Sequence, residues 1–419
     1  MPKPTITLSR TTALAPALLI AMLSLTEVTA RSVWQYGFGG LAAPAGALLA
    51  LTLASVWLWP RQQAAGTRSL AHWLSQRSYP ALRRPLALVA VGVDITLLSL
   101  LLQTMTTLLA MYIPGDITLA QTAAILGLAI LFALPQPQAD RYRVAAGTAM
   151  FIIAVVLSAA GAWLGFRTSI DWSTLQQRTP PTFNIALMGM SFALATLAIP
   201  ALYPHSAAGS RPRHTAALAI SLTVLATATA VYMALTGIAG ADALQLQSAS
   251  SLLLGLQTQT LARPLLALAV AGLAAGTCTA AWAILTSLSH SVLDDMLRQR
   301  ETSQIQFLPR ALLAAAALLI AQLIATGDSA VARVAIGVSS FGGATLTVPM
   351  LYAMRSSSRP MVLVVAWIIS AAVWSSAVMQ QSPGDPALWA AAAAAIYVAL
   401  DWLISALRRP AQVPAGHQP

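Results

Sequence analysis

Long apolar runs alternate with short loops in this chain, and its basic residues crowd into every second loop. That alternation leaves few environments in which the chain can fold. Apolar residues make up 58% of the 419 and charged residues 8%. A water-exposed exterior of that size needs far more charge. In lipid the exterior is itself apolar. A span takes roughly 20 apolar residues, and helices dominate because each backbone polar group must be satisfied within its own segment. The expected class is therefore an all-α polytopic membrane protein.

Twelve apolar stretches have the length of spans: 12–36, 40–60, 85–112, 117–136, 144–166, 183–203, 215–238, 264–289, 310–326, 334–354, 360–380 and 387–407. They sort the 23 basic residues onto two sides. Eighteen share one side: Lys3, Arg10, Arg61, Arg68, Arg77, Arg83, Arg84, Arg141, Arg143, Arg211, Arg213, Arg298, Arg300, Arg310, Arg355, Arg359, Arg408 and Arg409. Five lie opposite: Arg31, Arg167, Arg178, Arg263 and Arg333. Basic residues are retained in the cytoplasm, which puts both termini there in a bacterial inner membrane. The net charge of +11 is scattered over many loops without aromatic interleaving, which excludes a nucleic-acid footprint.

Other features agree with a membrane solution. The first span is followed at once by another and is not read as a cleaved signal. Trp57, Trp59, Trp163, Trp172 and Trp389 fall near span ends, where indoles favour the interface. The single Cys278 lies within the eighth span and reads as a small packing residue. The five histidines are dispersed, so neither a metal centre nor a membrane enzyme is expected. Segment 68–84 reads as a short helix on the cytoplasmic face, and 241–262 as short helices capping the outside. Gly127, Gly147, Gly161, Gly272 and Gly276 offer points of close helix approach.

Ionisable groups inside spans are costly and mark function by default. Glu27 and Arg31 stand at i, i+4 in the polar stretch Thr26-Glu27-Val28-Thr29-Ala30-Arg31-Ser32. They are either a functional break in the first span or an ion pair securing its outer end. Asp94 lies about 15 Å along the third span, near the bilayer midplane. Asp401 sits close to the cytoplasmic end of the last span. A carboxylate withdrawn from water holds a proton more readily, which is what coupling to a proton gradient requires. A sodium site would instead need convergent oxygens, for which Thr277, Thr279, Ser339 and Ser340 are candidates.

Several stretches are similar to the aromatic and hydroxy amino acid permeases. They are Met190-Ser191-Phe192-Ala193-Leu194 with Ile199-Pro200-Ala201-Leu202, then Ser210-Arg211-Pro212-Arg213 and Tyr232-Met233-Ala234-Leu235. The segments 285–289 with Val292-Leu293-Asp294-Asp295, Phe307-Leu308-Pro309 and Val348-Pro349-Met350-Leu351 continue the likeness. Over roughly 10–400 the chain resembles the wider amino acid–polyamine–organocation superfamily, which has the leucine-transporter fold. That resemblance implies about 12 transmembrane helices: an inverted five-plus-five repeat with broken first and sixth helices, plus two more. It divides the chain into a cytoplasmic tail 1–11, a first repeat 12–166, a second repeat 183–354, an added helix pair 360–407 and a tail 408–419.

The resemblance further implies a secondary active transporter of amino acids or related small amines, working by alternating access with a proton, or sodium, as coupling ion. It implies no other cofactor. The solute would sit between the broken helices, with Thr26, Glu27 and Thr29 on one wall and Gly189, Ser191 and Phe192 on the other. Thr277 would come from the eighth span, and Glu27 and Asp94 would carry the proton. One departure stands out: where the family has a glycine-rich break, this chain has Leu25-Thr26-Glu27. A non-transporting membrane subunit or sensor that binds a protein partner is the alternative. A two-times-six-span transporter fits less well, because Arg61–Arg68 lacks the acid of that class's loop.

The orientation is directly testable. A reporter fluorescent only in the cytoplasm, fused after Pro419, should be bright. A phosphatase active only outside, fused within 241–262, should be active, and the reverse pattern would overturn the assignment.

Overall fold

The computed structural model describes residues 36–64, 69–112, 146–157, 182–202, 263–297, 307–326, 329–353, 359–380 and 385–407, with isolated residues between 118 and 122, 160 and 181, and 220 and 228. Among these residues every regular element is helical. A 3-10 turn, Gly37–Leu41, leads into α1 (Ala42–Leu53), which runs through a π turn, Ala54–Leu58, into α2 (Trp59–Ala64). Gly37 has φ 54°, a conformation that glycine adopts without steric cost. Next come α3 (Leu70–Arg77), a 3-10 turn Pro80–Leu82, α4 (Arg83–Tyr112), α5 (Ala146–Leu157) and α6 (Thr182–Leu202). α7 (Arg263–His290) ends in a π turn, Ser291–Met296. α8 (Phe307–Thr326), α9 (Ser329–Ala353), α10 (Pro360–Met379) and α11 (Pro386–Leu407) complete the described chain.

These helices match the expected second, third, fifth, sixth and eighth to twelfth spans. The first, fourth and seventh lie outside the described residues apart from isolated positions, as does 241–262. Prolines punctuate the starts of α10 and α11, where a missing N–H costs nothing. Among the described residues, five helical segments are long and apolar enough to cross a membrane. Exposed Leu88, Leu312, Ile368, Trp389 and Trp402 give the helices an apolar exterior.

Lipid is as apolar as leucine, so burying leucine cannot by itself drive helices together; close backbone approach does more. Three crossings show this. α1 packs on α6, and a Cβ on Gly46 would overlap the Gly189 carbonyl oxygen and come within 3.0 Å of the Ala193 nitrogen. α5 packs on α7 through Gly147 against Thr279, and through Gly272 and Gly276 against Met150, Phe151 and Ala154. A Cβ at Gly276 would stand 2.9 Å from the Phe151 ring. α9 crosses α4 where Gly342 meets the Val93 side chain.

The contacts sort the helices into two groups. α4 packs with α7 and α8, α7 packs with α5, and these share one apolar core. Among the described residues α1 and α6 form a tight pair; α6 packs on α9 and α11, and Ala47, Ala50 and Leu51 of α1 belong to the same apolar core. α9 touches both α4 and α6. α10 is bound to α9 by the Ser370 hydroxyl, which donates to the Ala344 carbonyl at 2.9 Å, and by edge-to-face stacking of Phe341 and Trp374 at 5.1 Å.

One expectation is corrected. α6 runs unbroken from Thr182 to Leu202, so the interruption expected near Gly189 does not occur there. Gly189 serves instead as a contact point: its own Cβ would lie 3.3 Å from the Ala42 carbonyl, with the bare α carbon letting α1 in. Within segment 68–84 the expected short helix is present, and it packs into the protein. Only Leu70–Arg77 forms α3, and Leu70, Ala71, Trp73, Leu74 and Ser75 are buried in protein. The tryptophan that suggested an interfacial helix is a core residue.

Overpacking a close crossing costs about 1–3 kcal/mol. Gly46→Val should therefore lower the melting temperature of the purified protein in detergent. Leu49→Ala, on the exposed side of the same helix, should leave it unchanged. Equal melting of wild type and Gly46→Val would contradict the α1–α6 packing.

Candidate functional site

The core stripe of α4 recurs every three or four residues through Ala87, Ala90, Val93, Asp94, Leu97, Leu98 and Leu101, all buried. This is the spacing of one helical face. Asp94 sits inside the stripe at 0% exposure, while Leu88 on the opposite side is 60% exposed. Its carboxylate is not without a partner. Eleven residues separate it from the start of α4, about 16 Å at 1.5 Å per residue. A carboxylate is thus fixed well within the span, beside the point where α9 crosses.

Buried hydroxyls accompany it. Thr96 and Ser99 share α4, Thr277 and Thr279 lie on α7, and Thr345 and Thr347 on α9. Most donate to their own helix: Thr277 to the Leu273 carbonyl at 2.9 Å, Thr96 to Gly92 at 2.9 Å, Ser99 to Thr96 at 2.7 Å and Thr345 to Phe341 at 2.8 Å. Each hydroxyl has used its proton and keeps acceptor capacity only. Pro349, inside α9, removes the N–H that would normally satisfy the Thr345 carbonyl. The buried hydroxyl oxygens along these helices therefore keep acceptor capacity.

The expected site residues fall on different elements. Thr26, Glu27 and Thr29 lie outside the described residues. Asp94 and Thr277 are carried by α4 and α7, which pack directly on each other. Gly189 and Ser191 lie on α6, Gly189 in the α1 contact and Ser191 half-buried. Phe192 belongs to α6, and its side chain lies outside the described residues. α6 reaches the α4–α7 group mainly by way of α9. Asp401 pairs with Arg359 at 3.4 Å, joining the start of α10 to the last turns of α11.

Sequence reasoning missed a polar cluster at the C-terminal end of α7. Asp295 is 1% exposed and accepts from Arg83 Nε at 2.7 Å and from the Ser69 hydroxyl. Ser69 in turn accepts the His72 N–H at 3.0 Å and caps α3. The available signal was a serine before an apolar helix together with a lone buried acid facing a basic loop. Membrane orientation alone accounts for a basic loop, which hides its pairing with a distant acid.

The chain is thus an all-α polytopic membrane protein, with acceptor-rich positions buried at the seams of its helices. No family model and no curated protein sequence matches it. Solved structures do. A Na+-coupled sialic acid symporter, in a substrate-bound outward-open state, superposes with a TM-score of 0.71 at 13% identity, over 96% of this chain and 90% of its own. The manganese transporter of Eremococcus coleocola superposes with a TM-score of 0.53 at 12% identity, over 98% and 97%. At these identities the likeness establishes a shared fold.

Exposed ion pairs contribute about 0–1 kcal/mol. Asp401→Asn should therefore shift the detergent melting temperature only slightly. A large destabilisation would show that the Arg359 pair holds the last two helices in place.

Proposed function

We propose that the protein is a secondary active transporter that moves a small solute across a bacterial cytoplasmic membrane by alternating access, with both termini in the cytoplasm. The observation that carries this reading is the buried Asp94, set in the face of a membrane helix where two packed groups of helices meet across α9. A carboxylate is expensive there and is retained in such positions mainly along ion and solute paths. A fold shared over nearly the whole chain with a symporter and a metal transporter supports the same reading.

The α1–α6 pair is the moving part in this account, and the α4–α5–α7–α8 group is the frame. Asp94 is the coupling site, binding a proton or screening a sodium ion. Glu27 is the second acidic group and contacts the solute. Thr26, Thr29, Gly189, Ser191, Phe192 and Thr277 complete the solute's surroundings. Acceptor-rich surfaces favour solutes bearing an ammonium group, which keeps amino acids and related small amines as the proposed class.

Sodium coupling is a second reading, favoured by the Na+-coupled symporter among the structural relatives. No enzymatic step and no nucleic-acid partner enters either version.

The test is uptake into proteoliposomes of a labelled mixture of the common amino acids, with parallel arms for labelled polyamine, sialic acid and manganese. Each arm is run under an imposed proton gradient and under an imposed sodium gradient. Gradient-driven uptake that falls by at least about tenfold in Asp94→Asn supports the proposal, since a lost coupling group blocks the cycle rather than weakening it. Glu27→Gln should raise the half-saturation concentration for an ammonium-bearing solute. Uptake in no arm, together with co-purification of a stoichiometric protein, would favour a non-transporting subunit.

A further inference from the structure

Along the chain, α1 and α2 lead to α3 and α4 through a short connection. α2 ends at Ala64, and Ser69 caps α3. α3 lies against α4, against the π turn after α7, and against α9. A buried carboxylate ties it there, in addition to the apolar packing of Leu70, Ala71, Trp73 and Leu74. Asp295 Oδ2 accepts from the Ser69 hydroxyl, and Oδ1 accepts from Arg83 Nε at 2.7 Å. Three segments converge on that group: the N-cap of α3, the first residue of α4 and the end of α7.

The π turn matters to this geometry. The Leu297 N–H donates to the Val292 carbonyl at 3.0 Å, the five-residue spacing of a π turn. The extra residue per turn rotates the downstream side chains relative to a regular helix, and such turns recur where a side chain must be re-aimed. A second π turn, Ala54–Leu58, lies in the other arm of the connection, between α1 and α2.

We propose that Ser69, Asp295 and Arg83 form a cytoplasmic anchor that stays closed throughout the transport cycle. The anchor holds α3 to the frame while the α1–α6 pair moves, and it makes Asp295 a positioning residue for transport. The proposal deepens the transporter reading and rests on it. Its geometry sets a limit: five residue steps separate Ala64 from Ser69, so the end of α2 stays within about 18 Å of the anchor at full extension. The bending of α1–α2 then falls on the π turn Ala54–Leu58, and α3 does not travel with the pair. A gate between the two groups would behave in the opposite way, opening once per cycle.

Two experiments test this. The first is hydrogen exchange on the full-length protein in detergent and needs no solute. Asp295→Asn and Ser69→Ala should each raise amide exchange over Leu70–Arg77 by about tenfold, since each leaves a buried partner unsatisfied. Exchange over Pro360–Met379, far along the chain and bound to α9, should stay at the wild-type level. Unchanged exchange over Leu70–Arg77 in both variants would overturn the anchor. A rise over both segments would also overturn it, as general loss of fold.

The second joins Ser69→Cys to Asp295→Cys with a short bis-thiosulfonate, in a Cys278→Ser background, and measures proteoliposome uptake of the labelled amino-acid mixture. The linked protein should keep wild-type initial rates, and the unlinked double variant should be slower by about tenfold. Abolished uptake in the linked form, with wild type active, would make the cluster a gate. Wild type that takes up none of the mixture would refute the amino-acid reading, and the exchange result would then decide the anchor by itself.

Discussion

In a bilayer, helix association cannot lean on the hydrophobic effect, so this structure depends on how closely backbones can approach. The contacts between Gly46 and Gly189, between Gly147, Gly272 and Gly276 and their partners, and between Gly342 and Val93 each remove a Cβ that would keep two helices apart. They also decide which helices belong together. The first crossing makes α1 and α6 a unit, the second joins α5 to α7, and the third lays α9 across α4. The close pairing of α1 with α6 follows from where the small residues fall.

Function enters at the seams. Apolar side chains can fill any of the contacts, yet α4 spends a core position on Asp94, and the buried hydroxyls on α4, α7 and α9 turn their protons inward to their own helices. In the proposed transport cycle these oxygens supply lone pairs to a bound cation. Asp295 obeys a different logic. It is saturated by two donors from other segments and lies outside the apolar stretch of α7, where it holds parts together.

Much of the architecture was legible in the sequence because a span has a length, and its flanks have a sign of charge. α10 and α11, bounded by Pro360 and Pro386, fall where the apolar runs begin, and α4 and α7 differ from their expected bounds by a residue or two. Gly272 and Gly276, four apart in an alanine-rich helix, were readable as a contact face. The burial of Asp94 was readable because an acid within an apolar run is turned away from lipid. Harder to see was the role of Gly189: a glycine in a span can break a helix or admit a neighbour, and only the partner Gly46 on α1 decides which. The same holds for Trp73 and Asp295. An indole or a carboxylate near a span end reads as interfacial until the segment that covers it is known, and that segment is distant in sequence.

The central claim is relative motion of the α1–α6 pair against the frame. Spin labels at Leu49→Cys on α1 and Leu88→Cys on α4, in a Cys278→Ser background, lie on exposed faces of the two groups. A second pair, Leu88→Cys with Leu312→Cys on α8, lies within the frame. Pulsed electron–electron distances in lipid nanodiscs would be recorded at acidic and neutral pH, with and without sodium, and with the amino-acid mixture. The account predicts that the first distance distribution shifts among these conditions while the second stays fixed. Two distributions that remain fixed under every condition, or that shift together, would contradict it.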